Sequence, residues 1–128
     1  MLKYAVFVTC SFLLVFSAFT EAQKVDFTQS NCTIIYSLHG SANQYFNDEI
    51  AQLRQSITQQ SVVFIDLNHW QKSLPHLKVS GRARNQLRQK FQLPKAINQT
   101  VVIDGQGDLI SRYSGSVTLV NALLDCQN

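Results

Sequence analysis

The chain has 128 residues, 45% of them hydrophobic and 15% charged, with a formal net charge of +3. That length suits one small domain built on one core and excludes a multidomain enzyme. The charge excess is slight and no nucleic-acid motif accompanies it, so a nucleic-acid partner is excluded on present signals.

Lys3 precedes an apolar run from Ala5 to Ala18, and Phe19-Thr20-Glu21-Ala22 then offers small residues where a signal peptidase reads. Residues 1–22 therefore read as a signal peptide and residues 23–128 as a single domain of roughly 106 residues. A membrane anchor is the competing reading. The run falls short of the roughly 20 apolar residues a spanning helix needs, and Thr9, Cys10 and Ser11 interrupt it. No membrane span is expected after cleavage, and the destination is the periplasm or the extracellular space. Cys10 leaves with the leader, so Cys32 and Cys126 are what the mature chain keeps. Two cysteines in an exported chain suggest one disulfide, with free or intermolecular thiols as the alternative.

Gln23 to Ser30 is polar and reads as an arm or a loose strand. Cys32 to Ser37, CTIIYS, is a short β-branched run and the first core strand. A helix follows, with Phe46, Ile50, Leu53 and Ile57 at spacings of four, three and four, and with Asn43 or Ser41 as its cap. Val62-Val63-Phe64-Ile65 is continuously apolar, as expected of a strand covered on both faces. Asn68 to Ser80 holds Pro75, His69, His76 and the sole tryptophan, Trp70, and reads as a long loop. A second helix, about Gly81 to Gln92, follows a Ser80 cap and turns Ala83, Leu87 and Phe91 inward; Pro94 ends it. Thr100 to Tyr113 is a hairpin, two apolar runs about an Asp104-Gly105-Gln106-Gly107-Asp108 turn. Ser116 can cap a last helix whose apolar face is Val117, Leu119, Val120, Leu123 and Leu124.

The order β-α-β-α-β-β-α, closing on a hairpin and a helix, resembles the thioredoxin core. The strand TIIYS, the segment Asn85 to Pro94 (NQLRQKFQLP) and the hairpin VVIDGQGDLI resemble an exported thioredoxin-like family, domain of unknown function 4174, over about Cys32 to Leu124. The resemblance implies an α/β, three-layer, thioredoxin-like fold, a four-stranded mixed sheet with helices on both faces, and an export route. It carries no established reaction. The family's domain also occurs in some animal extracellular-matrix proteins, which favours a binding or structural role. In such a sheet the last helix runs back toward the start of the first strand, so Cys126 should meet Cys32 there.

Redox members place a CxxC after the first strand, where a helix N-terminus lowers the thiol pKa. Here that loop is Ser37-Leu38-His39-Gly40-Ser41-Ala42-Asn43, without cysteine, and Gln99 stands before Thr100 where those members carry a cis-proline. No catalytic residue and no cofactor is therefore assigned. His39, Asn68, His69, Trp70 and Asn98 should converge beyond the carboxyl ends of the strands and form the candidate pocket. The alternative is a cysteine-independent enzyme or metal-binding protein using His39, His69 and Asp66, with His76 as a further ligand. No regular histidine spacing supports zinc, and the metal assignment is none. Arg82, Arg84, Arg88 and Lys90 form a candidate basic surface that could dock an acidic glycan, a lipid headgroup or an envelope or extracellular protein; a solvated helix face is the plainer reading. Asn31-Cys32-Thr33 and Asn98-Gln99-Thr100 are N-x-[ST] sequons, relevant only in a source that glycosylates exported chains. The functional expectation is an exported, non-redox, thioredoxin-like binding or structural module.

Overall fold

The computed structural model of the protein describes residues 25–71 and 75–127; the expected signal peptide, residues 1–22, lies outside them. Four strands form one mixed sheet: β1 (Cys32–Ser37), β2 (Val62–Asp66), β3 (Gln99–Asp104) and β4 (Leu109–Ser114). Their spatial order is β2-β1-β3-β4, with β2 parallel to β1, and with β3 antiparallel to both β1 and β4. β1 is buried at every residue, as its unbroken apolar pattern requires of a central strand. β4 alternates because it is an edge strand with one face wet.

Successive side chains of β1 point to opposite faces and so feed two cores. Ile34 and Tyr36 pack with Phe46, Ile50, Ile57, Phe64, Leu119 and Leu123 on the face covered by α1 (Gly40–Gln52), α2 (Arg54–Gln59) and α4 (Leu119–Gln127). Ile35 packs with Ile65, Leu87, Phe91, Val101 and Ile103 on the face covered by α3 (Gly81–Phe91). The arm before β1 is a 3-10 turn, Phe27–Gln29, whose buried Phe27 ring meets Phe91 edge-on at 6.1 Å.

Several local expectations are corrected. The first helix breaks at Leu53 (φ −104°, ψ 19°), which rotates the next turn so that Ile57 alone reaches the core and Leu53 faces out. Neither Ser41 nor Asn43 caps α1. His39 takes the N-cap position without a side-chain capping bond, because Asn43 is buried one turn in and its amide is used elsewhere. Ser80 accepts from the Ala83 amide at 3.2 Å and caps α3. That helix is ended by Gln92 in the left-handed region (φ 55°), two residues ahead of Pro94. α4 starts at Leu119 rather than beside Ser116, and the Leu119 amide donates to the Glu49 carboxylate of α1 at 3.3 Å. Its inward face is Leu119, Ala122 and Leu123, leaving Val120 and Leu124 exposed.

Within the expected loop, Pro75 to Leu77 runs beside β2: the Phe64 amide donates to Pro75 O at 3.0 Å and the Leu77 amide to Phe64 O at 2.8 Å. An otherwise open sheet edge is thereby covered. The hairpin turn is held by the Asp104 carboxylate, which accepts from the amides of Gln106 and Asp108, each at 2.9 Å, while Gly107 supplies φ +88°. Among the described residues, no helix is long and apolar enough to cross a membrane.

Candidate functional site

The carboxyl ends of β1 and β2 carry two polar assemblies. The first is centred on Arg88, which α3 points back under the sheet edge. Its guanidinium donates to Ser37 Oγ at 3.0 Å, Leu93 O at 3.1 Å, Leu67 O at 3.1 Å and Asn68 Oδ1 at 2.6 Å. Asn68 in turn donates to Leu38 O at 2.9 Å. One fork thus joins the ends of β1, β2 and α3, which is the use planar guanidinium suits best. Burial, and then repulsion from Arg84, lower the Arg88 pKa, with Asp66 opposing the shift.

The second assembly is a chain of bonds running inward to Asp66, whose side chain is 1% exposed. The Tyr36 hydroxyl donates to Asn47 Oδ1 at 2.5 Å, the Asn47 amide to Asn43 Oδ1 at 2.9 Å, and the Asn43 amide to Asp66 Oδ2 at 3.4 Å. With its proton on Asn47, the Tyr36 oxygen accepts from His76 Nε2 at 2.7 Å. Asp66 also accepts from Gln71 Nε2 at 3.2 Å and, through Oδ1, from the amides of Asn68 at 3.0 Å and His69 at 3.1 Å. A buried carboxylate is tolerable when met by donors in this number. Burial first, and then the nearby Asp66 charge, push the Tyr36 hydroxyl far above the usual tyrosine range, so it stays protonated.

The sequence candidates fall into separate places. The His39 amide donates to Asn98 Oδ1 at 2.9 Å, and His39 Nε2 is bonded to Lys95 O, so His39 and Asn98 do meet. Asn68 belongs to the Arg88 assembly. His69 and Trp70 lie out on the loop: the half-exposed His69 imidazole stands 3.6 Å from Asp66 Oδ1, and Trp70 is 57% exposed with the Arg84 guanidinium 4.8 Å over its ring. Only a small indentation, about 10 Å³, opens between Asp66, His69, Trp70, Gln71 and Arg84. It has room for about one water.

The three histidines therefore serve three different arrangements, and among the described residues no group of three or more His, Cys, Asp or Glu side chains could hold a metal ion. The basic surface is corrected in membership. Arg88 is half-buried with its guanidinium taken up by its acceptors, and Lys90 is exposed with its amine 5.4 Å from the Phe91 ring and 5.6 Å from that of Phe27. Arg82 is exposed and Arg84 is stacked on Trp70.

Cys32 and Cys126 are joined as a disulfide with Cα atoms 5.6 Å apart. Cys32 opens β1, so the bridge sits at the end of the sheet opposite His39. Tyr36, Asn43, Asn47 and Gln71 were not anticipated. A signal was present for two of them: Asn43 and Asn47, four residues apart, share a helical face with Phe46 and Ile50, and a polar pair on a buried face needs partners there.

Strand order, direction and helix placement define an α/β protein of thioredoxin-like fold. No family model matches the chain, and no curated protein matches it. A solved structure, the solution structure of the reduced form of the N-terminal domain of PilB from N. meningitidis, is similar at 11% identity with a TM-score of 0.44, covering 77% of this chain and 80% of that one.

Proposed function

We propose that the protein is an exported thioredoxin-like domain, akin to the family its LRQKFQLP segment resembles, that performs no thiol chemistry and serves as a binding or structural module. The observation that carries this reading is the position of its sulfur. Cys32 and Cys126 are consumed in one bond at the amino end of β1, while the segment between β1 and α1, where a redox thiol would sit beside a helix N-terminus, is Leu38-His39. The Arg88 and Asp66 assemblies at that corner are closed on their own partners, which suits a rigid scaffold better than a site that must exchange protons or electrons.

The test is dithiothreitol-driven insulin reduction with purified protein, run beside a redox-active thioredoxin. The expected rate is that of the buffer control. Turnover above that control, lost on Cys32→Ser, would overturn the reading. Export is tested separately by expressing the full chain in an export-competent host and sequencing the secreted product; the expected first residue is Gln23, and retention of the leader would remove the export half of the proposal.

A further inference from the structure

Among the described residues, the Arg84 guanidinium has no carboxylate partner within ion-pair distance, and its Nε is buried without a hydrogen-bond acceptor. It lies over Trp70, next to the water-sized indentation bounded by Asp66, His69 and Gln71. A buried donor with no acceptor is uncommon and asks for an oxygen. The repulsion that Arg84 exerts on Arg88 would also be eased by a negative charge placed there.

We propose that Arg84, Trp70 and His69 form a binding site for a carboxylate-bearing sugar unit of an acidic glycan. This rests on the binding-module reading and gives it a ligand class. The indentation admits one oxygen and no ring, so a uronate carboxylate sits at its mouth with a single oxygen turned in toward Arg84, and the Asp66 carboxylate that bounds the space is already met by four donors. The sugar ring then lies outside, with its C–H face on the exposed indole, whose π face is electron-rich. His69 and Gln71 line the indentation and can serve ring hydroxyls. An extended acidic peptide is disfavoured, because the β2 edge that would receive it as an added strand is already covered by Pro75 to Leu77. The site differs from a general basic face in that it depends on one arginine and one aromatic ring.

Trp70 is the sole tryptophan of the chain, so its fluorescence reports this site directly. The experiment titrates the full mature chain with oligogalacturonate, a neutral oligosaccharide of equal length, and polyglutamate. Variants Arg84→Gln and Arg82→Gln are titrated alongside, with thermal melts to show that each is folded. The expected result is a saturable change with oligogalacturonate only, weakened about tenfold or more by Arg84→Gln, as loss of a charge-assisted pair requires, and less than twofold by Arg82→Gln. Equal weakening by both variants would reduce the effect to diffuse charge and overturn the site. A neutral sugar binding equally well, or polyglutamate matching the uronate, would overturn the ligand class. The absence of any saturable change would sink this inference and leave the redox-inert reading, which stands on insulin reduction, intact.

Discussion

Replacing Tyr36 with phenylalanine isolates the inward-running polar chain from the packing that surrounds it. The ring remains, fully buried and edge-on to Phe46 at 4.8 Å, so no cavity is made. What disappears is the oxygen between Asn47 Oδ1 and His76 Nε2. An ordinary hydrogen bond contributes about 1 kcal/mol net, and leaving a part-buried acceptor such as Asn47 Oδ1 unmet raises the cost to about 1–3 kcal/mol. For a domain of this size that corresponds to a fall in Tm of about 5–15 °C at pH 7. The same substitution has a pH signature. The folded-state pKa of Tyr36 is raised, by burial and then by Asp66, whereas an unfolded tyrosine ionises near 10. Its contribution is therefore complete below about pH 10 and declines as pH climbs above it, by about 1.4 kcal/mol per unit. Tyr36→Phe lacks that limb, and the remaining tyrosines are common to both proteins. The stability gap from urea melts should narrow by about 1.4 kcal/mol between pH 9 and pH 11. A gap under about 0.5 kcal/mol at pH 7, or one that does not change with pH, would refute the account of this chain.

Removing the disulfide with Cys32→Ala and Cys126→Ala should cost about 2–5 kcal/mol in denaturant melts, since the bridge closes a sequence separation of 94 residues. Arg88→Ala should cost about 1.5–3 kcal/mol, and Arg88→Lys should recover less than half of it, because an ammonium cannot reproduce the fork to Ser37, Leu67, Asn68 and Leu93. Full recovery by lysine would show that charge alone matters there. Ser80→Ala should lower stability by about 1 kcal/mol through loss of the α3 cap, with exchange at the Ala83 amide rising correspondingly.

The strands and the element order were legible because burial writes them plainly. CTIIYS and VVFI are short, unbroken apolar runs, and the Asp-Gly turn between two such runs leaves few alternatives. What was not legible depends on contacts between distant elements. Leu53 fits the helical period of Phe46, Ile50 and Ile57, and only the break of the helix at Leu53 itself turns it to solvent. Arg88 shares a helix with Arg82 and Arg84, and sequence spacing cannot say that two loop carbonyls, a serine hydroxyl and an asparagine wait beneath it. The start of α4 was missed for a like reason: its cap is Glu49, a residue of another helix.

The two ends of β1 are fastened by different chemistry, and that bears on how the Trp70 loop is held. At the amino end, Cys32 is tied covalently to α4. At the carboxyl end, Ser37 is held by Arg88, and the chain leaving β2 is turned at once by Asp66, whose Oδ1 accepts from the amides two and three residues ahead. Such a turn fixes the path of Asn68-His69 locally, without needing a packed core beneath it. Gln71, also on Asp66, fixes the loop on the far side of Trp70. The indole is consequently exposed and yet anchored on both flanks, so the ordering cost of using it as a platform has largely been met during folding. On the proposed binding reading, that arrangement makes the carboxyl end of the sheet a presenting surface, and a buried carboxylate would matter to binding without touching a ligand.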